Sequence, residues 1–185
     1  MKHKPKLNGI KVILRPFTKD DVESMLMILN DPEIIKLTGS ADTTEKTHIP
    51  LNEDQIKHTT KWYEKINSHD DRLDLAIEYK GKLAGEVVLN EYDEDLKTCN
   101  FRILIGKEYR DKGLGSDAIK TFLDYAFNSL ELHRIELEVI AFNPRARHVY
   151  EKCGFIYEGT KRKAHRFDDE WIDINLMSIL KEDNQ

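Results

Sequence analysis

The sequence is poor in the residues that mark several classes of protein. Its 185 residues include only two cysteines, Cys99 and Cys153, which lie far apart and form no Cys-x-x-Cys pair. A disulfide framework and a zinc cluster are therefore unsupported, and we expect a reducing compartment, the cytoplasm. The five prolines and nine glycines are scattered through the chain and mark neither a linker nor a low-complexity tract.

Long apolar runs and a strong excess of one charge are also missing. No stretch approaches the roughly 18–20 apolar residues of a membrane-spanning helix, and no apolar run follows the basic N-terminus, so we expect no membrane anchor and no secretory signal. Lysine and arginine number 29 against 34 aspartates and glutamates, a net charge of −5. Nucleic acid is therefore not expected as a partner. The seven histidines have no metal-ligand spacing, so no metal is expected.

What the sequence does contain is the pattern of a folded α/β chain. Its length predicts one domain over residues 1–185, with a core at about 10–180. Apolar periodicities predict the element order β-α-α-α-β-β-β-α-β-α-β-β. Hairpins in the middle and a β-α-β unit near the end together predict a mixed sheet with helices on both faces.

The bounds of these elements follow from alternation and capping signals. Strands are predicted at Ile10–Arg15, Leu73–Tyr79, Leu83–Tyr92, Thr98–Ile105 and Arg134–Val139, with two more between Phe155 and Leu180. Helices are predicted to start at Thr18, Asp31-Pro32, Asn52, near Lys112 and at Pro144. The polar segment Thr38–Leu51 has no clear period and is expected to be a loop.

The most informative segment runs from Ile103 to Ser116, where a strand ends, a basic turn with glycines follows and a helix begins. The first amides of a helix lack partners within the helix and, with the helix dipole, attract an anion. Arg110 and Lys112 add positive charge, so a pyrophosphate is the natural occupant. A plain strand-to-helix turn with solvated basic residues fits the same pattern.

Other phosphate-binding motifs match less well. No Gly-x4-Gly-Lys-Ser/Thr string of a P-loop occurs in the sequence. A dinucleotide fingerprint is matched at Gly113, Gly115 and, with the permitted alanine, at Ala118. However, this turn comes late in the chain after predicted hairpins, whereas the dinucleotide fingerprint opens an early βαβ unit.

At this turn the sequence resembles a known family. The string Arg110-Asp-Lys-Gly-Leu-Gly115 is similar to the acyl-CoA pyrophosphate loop of the GNAT N-acetyltransferase superfamily. The downstream string Asn143-Pro-Arg-Ala-Arg-His-Val-Tyr-Glu-Lys-Cys-Gly-Phe155 resembles the branch that holds ribosomal-protein N-terminal acetyltransferases and spermidine acetyltransferases. Leu14–Phe17 and Trp171–Asp173 also match that branch, so the likeness spans Ile10 to Leu180.

The resemblance implies a fold and a reaction. The fold would be a central, mostly antiparallel twisted sheet, with helices on both faces and a splayed pair of parallel strands. The reaction would move an acetyl group from acetyl-CoA to a primary amine by direct attack in a ternary complex. The acceptor stays open between a polyamine or other small amine and a protein N-terminus. The alternative is a catalytically silent acyl-CoA-binding module that acts as a sensor or scaffold.

The resemblance also implies site residues. The cofactor-binding set is Ile103, Leu104, Ile105, Arg110, Asp111, Lys112, Gly113, Leu114, Gly115, Ser116, Asn143 and Tyr150. Backbone groups of the strand would hold the pantetheine arm and the acetyl carbonyl. Tyr150 would be the general acid toward the thiolate, and its presence favours a small-amine acceptor. By spacing alone a core role is favoured for Tyr150, and Asn143 is equally a helix N-cap.

The residue that removes a proton from the acceptor amine is less defined. Glu86 is the first candidate for the general base and Glu91 the second, and each fits a solvated strand residue as well. Segment Thr38–Leu51 and the first helices would roof the acceptor side. Acidic residues there could draw in a cationic amine: Glu33, Asp42, Glu45, Glu53 and Asp54. A homodimer or larger homo-oligomer is compatible with the resemblance.

Overall fold

The computed structural model describes residues 1–184. Eight strands form one sheet, with bounds Leu7–Asn8 (β1), Ile13–Arg15 (β2), Leu73–Tyr79 (β3), Lys82–Asp93 (β4), Thr98–Ile105 (β5), Arg134–Ile140 (β6), Ile156–Phe167 (β7) and Glu170–Leu180 (β8). Six α-helices accompany them: Asp21–Leu29 (α1), Pro32–Leu37 (α2), Thr44–Thr47 (α3), Glu53–Lys65 (α4), Leu114–Ser129 (α5) and Pro144–Lys152 (α6).

The sheet has the order β1-β2-β3-β4-β5-β6-β8-β7 and is antiparallel except where β5 pairs with β6. That parallel pairing covers only Thr98–Asn100 against Arg134–Glu136. Beyond these residues the two strands run on without pairing, so a gap opens in the middle of the sheet. The predicted mixed sheet with a splayed parallel pair is confirmed.

Helices cover both faces of the sheet, as predicted. On one face α5 and α6 pack on a large core that includes Phe101, Phe122 and Leu137. On the other face α1 and α4 pack on a smaller cluster that includes Met25, Tyr63 and Ala76. The alternation of each strand explains this division, because successive side chains of a strand point to opposite faces.

Two predictions about the N-terminal part are wrong in detail. The strand predicted over Ile10–Arg15 covers only Ile13–Arg15, and Ile10 is 94% exposed. Instead the carboxylate of Asp117 accepts hydrogen bonds from the amides of Ile10, Lys11 and Val12 and draws this segment into a turn. The helix predicted from Thr18 begins at Asp21, since the Asp21 carboxylate binds the Thr18 amide and hydroxyl as well as Arg15.

The sequence predicted a loop over the whole segment Thr38–Leu51, but part of it is helical. Residues 44–47 form the short helix α3, because the Thr43 hydroxyl accepts a hydrogen bond from the Lys46 amide and caps its start. A threonine N-cap was the local signal, but four residues are too few to show a helical period. The helix start predicted at Asn52 is confirmed, and there Asn52 and Gln55 form a capping box that starts α4.

Candidate active site

A single cleft of about 1040 Å³ follows the gap in the sheet. One end is closed by the turn before α5 and the start of α6. The other end reaches the cluster under α1 and α4. Residues from almost every predicted site segment line it, including Ile103–Ile105, Gly113–Ser116, Asn143, Tyr150 and Glu86. The topology therefore brings together segments that are up to 64 residues apart in the chain.

The backbone of β5 faces the gap at alternate residues. The Gly106 amide bonds to the Ala84 carbonyl, and this bond fixes the antiparallel alternation between β4 and β5. The backbone groups of Ile103 and Ile105 then point into the gap, and the Ile105 carbonyl accepts a bond of 3.2 Å from Arg110 Nε. The backbone of Leu104 points the other way, toward Glu86 of β4. Leu104 lines the cleft, but its backbone is not free for a ligand, which corrects the expectation for that residue.

The start of α5 is shaped to receive an anion. Its N-cap Gly113 has a left-handed φ of 75°, and no side chain caps the helix, so the amides of Leu114, Gly115 and Ser116 are left for a ligand. Asp111 also has a positive φ, 60°, which explains why the helix starts at Leu114 and not at Lys112 as predicted. The one acid of the first turn, Asp117, is engaged by three amides of the N-terminal turn.

The charges around this turn are more numerous than the sequence suggested. Lys11, more than 100 residues away in the chain, bonds through Nζ to the Lys112 carbonyl at 2.8 Å. Arg145 at the start of α6 forms an ion pair of 3.2 Å with Asp111. The Lys112 ammonium bonds to the Glu108 carbonyl at 2.6 Å. No local sequence signal could have found Lys11, because its place depends on the turn that Asp117 holds.

Arg110 takes a position that the sequence did not predict. Its guanidinium, only 11% exposed, forms an ion pair with Glu33 of α2. The side chain therefore bridges the phosphate turn and the helices that roof the cleft. Glu33 was expected to attract a cationic acceptor, but its carboxylate is engaged with Arg110.

Tyr150 is buried at the wall of the cleft. Its ring packs edge-on against Phe101 and Phe155, at centroid distances of 6.3 and 5.7 Å. Burial raises the pKa of the phenol above its usual value, so the hydroxyl stays protonated. Among residues 1–184 the hydroxyl has no hydrogen-bond partner within the protein. The ring is thus a core residue, as its spacing indicated, while its polar atom stays available to a ligand.

Asn143 caps a helix and also lines the cleft, so both expectations for this residue fit its position. Its side-chain Oδ1 accepts a bond of 3.1 Å from the Ala146 amide and caps α6. The residue also lines the cleft. The cap uses only the oxygen of the amide, and the NH2 group remains a donor.

Glu86 lies buried in the cleft near the cluster under α1 and α4, where the sequence had allowed a solvated residue. Only 6% of Glu86 is exposed, and Oε2 accepts a bond of 2.9 Å from the Tyr63 hydroxyl. Burial raises the pKa of Glu86 to about 7, although the bond from Tyr63 opposes this shift. The sequence did not identify Tyr63 as a partner of Glu86, because an apolar helix face that contains a tyrosine is typical of a residue packed in the core.

The neighbours of Glu86 depend on an irregularity in β4. The β3–β4 register shifts between Ile77 and Glu78. Simple alternation would place Leu83 on the face opposite Glu86, but the shift brings Leu83 into the cluster under α1 and α4 with Tyr63. Gly85 allows β4 and β5 to approach closely here, since a Cβ at Gly85 would fall 1.9 Å from the Leu104 carbonyl oxygen.

The remaining candidates lie outside this arrangement or on its rim. Glu91 is exposed, with a φ of 54°, at the bulge where β4 leaves β5. Of the acids proposed to draw in an amine, Glu45, Glu53 and Asp54 are exposed, and Asp42 pairs with Lys46. No group of three or more potential metal ligands occurs within residues 1–184. No helix in the same range is long and apolar enough to cross a bilayer.

Comparisons with known proteins agree with this fold and site. A family model described as Acetyltransferase (GNAT) domain matches residues 11–156. The chain is 34% identical over 116 residues to a spermidine N(1)-acetyltransferase of Vibrio cholerae, covering 63% of this chain and 67% of that one. It is 29% identical over 143 residues to YdaF of Bacillus subtilis, named as a ribosomal N-acetyltransferase, covering 77% of this chain and 72% of that one.

Solved structures point the same way. A crystal structure of spermidine N-acetyltransferase from Vibrio cholerae in complex with CoA and spermine superposes with a TM-score of 0.78. The two chains are 27% identical, and the match covers 94% of this chain and 98% of the other. The chain belongs to the GNAT acetyltransferase family, and it is therefore an acetyl-CoA-dependent acetyltransferase.

Proposed function

We propose that this chain transfers the acetyl group of acetyl-CoA directly to a primary amine, with both substrates in the cleft at once. The observation that carries this proposal is the single cleft that joins the open amides of α5 to the buried carboxyl of Glu86. Tyr150 lies on the wall of the same cleft. The name of the Vibrio cholerae relative, a spermidine acetyltransferase, supports a small amine as acceptor.

The first amides of α5 would bind the pyrophosphate of acetyl-CoA. Their free hydrogens and the positive end of the helix dipole favour an anion, and Lys11, Lys112 and Arg145 surround it with positive charge. The Ile103 and Ile105 backbone groups would bind the pantetheine arm along the gap. One of these amides would donate to the thioester carbonyl and polarise it.

Glu86 would accept the proton that the acceptor amine loses. A lysine-type amine has a pKa of about 10.4 and is cationic at neutral pH, so it must give up a proton before it can attack. A general base works best when its pKa lies near the working pH. Because burial raises the pKa of Glu86 to about 7, Glu86 meets this condition. The neutral nitrogen then forms the bond to the carbonyl carbon as the carbon–sulfur bond breaks.

Tyr150 would stabilise the departing thiolate. Its phenol stays protonated because burial raises its pKa above the usual value. A thiol has a pKa of about 8.5 and is the stronger acid, so a hydrogen bond from the phenol is sufficient and complete proton transfer is not required. The nitrogen keeps the acetyl group and loses its remaining extra proton, the departing sulfur takes up one proton, and CoA leaves as the thiol.

Two measurements test this function together. Titration calorimetry with acetyl-CoA should show one site per chain, and a thiol assay with mixed amines should show release of CoA. The Glu86→Gln variant should bind acetyl-CoA but lose turnover, whereas Glu91→Gln is the matched control with normal turnover. Binding of acetyl-CoA without thiol release from any amine would instead identify a silent acyl-CoA-binding module.

A further inference from the structure

The acceptor end of the cleft contains a cation without a protein partner. Five charged side chains between residues 72 and 102 line the cleft, with Glu91 exposed at its rim: Arg72, Asp74, Glu86, Glu91 and Arg102. Arg72 is neutralised, because it makes two hydrogen bonds, of 2.7 and 2.6 Å, to the buried carboxylate of Asp74. Within residues 1–184 the Arg102 guanidinium makes neither a hydrogen bond nor an ion pair.

The position of Arg102 relative to Glu86 follows from the strand register. Arg102 pairs with Val88, and Glu86 pairs with Leu104, so Arg102 and Glu86 are diagonal neighbours on one face of the sheet. Such neighbours lie about 7–8 Å apart at their Cα atoms. The two groups interact, because the charge of Arg102 opposes the larger effect of burial, which raises the pKa of Glu86.

This distribution of charge does not favour a polycationic acceptor. The acids that the sequence offered for that role lie outside the cleft lining, and Glu33 and Asp42 are paired with Arg110 and Lys46. Near neutral pH Glu86 is only partly ionised, since burial raises its pKa to about 7. A second positive charge on the acceptor would therefore meet the unpaired Arg102. The other carboxylates of the lining are paired, Asp74 with Arg72 and Glu138 with Lys161, or lie exposed at the rim, as Glu91 does.

We propose that Arg102 binds a carboxylate on the acceptor, and that the acceptor class is a small amine that carries a carboxylate. A guanidinium matches a carboxylate with two parallel N–H···O bonds, which fixes its orientation as well as its charge. Bound in this way, the acceptor would direct its amine along the sheet face toward Glu86. This inference rests on the proposed acetyl transfer and names its substrate class.

Matched acceptors that differ only in the carboxylate test this inference. L-Leucine and 4-aminobutyrate should be compared with their amides, with spermidine as the polycationic acceptor. The ratio of kcat/KM for each acid to that for its amide should fall at least tenfold in Arg102→Gln, and Arg102→Lys should recover part of it. Comparing ratios between variants removes the difference in amine pKa between acid and amide. Arg162→Gln, an exposed arginine of β7, is the control and should leave the ratio unchanged.

A binding experiment separates this inference from the proposed function. Calorimetry of the same acceptors on protein saturated with CoA requires no chemistry. Acid-specific binding that is lost in Arg102→Gln supports the inference even if no acceptor is acetylated, in which case the proposed function alone fails. A preference for spermidine, or an acid-to-amide ratio that is the same in wild type and Arg102→Gln in both assays, overturns the inference and leaves acetyl transfer standing.

Discussion

The Tyr63 hydroxyl donates a hydrogen bond of 2.9 Å to the buried carboxyl of Glu86, and this bond links helix α4 to the middle of the sheet. Tyr63 is 5% exposed and Glu86 6%, so the pair lies in a region of low dielectric constant. Burial raises the pKa of both groups, that of Glu86 to about 7. The proton on Glu86 is therefore exchanged in the range of pH in which enzymes commonly work.

Turnover should rise with pH as Glu86 ionises. We expect kcat/KM to increase through an apparent pKa near 7, because only the carboxylate can accept the proton of the amine. Glu86→Gln should lower kcat by about 10²–10⁴-fold, the range typical of a general base. A pH–rate profile between pH 5 and 9 measures both effects. A profile without this ionisation in wild type would exclude Glu86 as the base.

The same ionisation should destabilise the fold as pH rises. The pKa of Glu86 is about 7 in the folded chain and 4.5 in the unfolded chain, so between these values the folded state binds more protons. The free energy of unfolding should therefore fall across this window, by at most about 3 kcal/mol. Urea unfolding of wild type and Glu86→Gln at pH 5 and pH 8 measures this loss. It should be larger in wild type, and Glu91→Gln should behave as wild type does.

Tyr63→Phe should move the pH dependence without removing it. The bond from Tyr63 favours the ionised carboxylate and lowers the pKa of Glu86, against the larger effect of burial. A hydrogen bond to a charged group contributes about 1.5–3 kcal/mol, which corresponds to a shift of about one to two pH units. The limb of the pH–rate profile should shift to higher pH by that amount. A simple loss of activity with an unshifted limb would mean that Tyr63 acts only through packing.

Tyr150→Phe should reduce turnover more than it reduces affinity for acetyl-CoA. The substitution keeps the ring contacts with Phe101 and Phe155 and removes only a hydroxyl that has no protein partner in the described chain. We expect kcat to fall at least tenfold, the dissociation constant for acetyl-CoA to change less than about threefold, and thermal stability to stay close to that of wild type. Unchanged kcat would contradict a role at the leaving sulfur.

Glu33 and Arg110 should affect acetyl-CoA binding in opposite directions. Arg110 pairs with Glu33, so a phosphate would have to compete for the guanidinium. Glu33→Gln should tighten binding by about two- to fivefold, because the Glu33 carboxylate is half exposed and ion pairs with such a solvated partner contribute about 0.2–1 kcal/mol. Arg110→Gln should weaken binding, and calorimetry measures both. Equal weakening by both substitutions would assign the pair to structure alone.

Much of the fold could be predicted from sequence, because strand alternation is a local signal. The bounds of β3 and β5 match their predicted bounds, and Gly and Pro positions placed α5 and α6 within two residues. The errors arose where distant side chains bind backbone amides. The carboxylate of Asp117 reshapes the segment near Ile10, and no pattern within the first 20 residues contains that information.

The site was predictable in part for the same reason. The turn before α5 is a continuous string, so an anion site at its helix start could be predicted from the sequence, although the helix was predicted to begin near Lys112 and begins after the N-cap Gly113. The burial of Glu86 could not be predicted in this way, because it depends on α4 folding across β4 and on the register shift in β4. No sequence signal marked Arg102 as a site residue. Strand alternation predicts the face on which it lies, but its lack of a charged partner depends on the positions of all the neighbouring strands and helices.

The interrupted pairing of β5 and β6 has a mechanical consequence. Only three residue pairs connect the two halves of the sheet directly, and the neighbouring strands are held along most of their length. A molecule bound in the gap would make hydrogen bonds to both strands where they do not pair with each other, and so would hold the two halves of the sheet together. The melting temperature of the protein should then rise with the concentration of acetyl-CoA, because a ligand that binds only the folded state stabilises it.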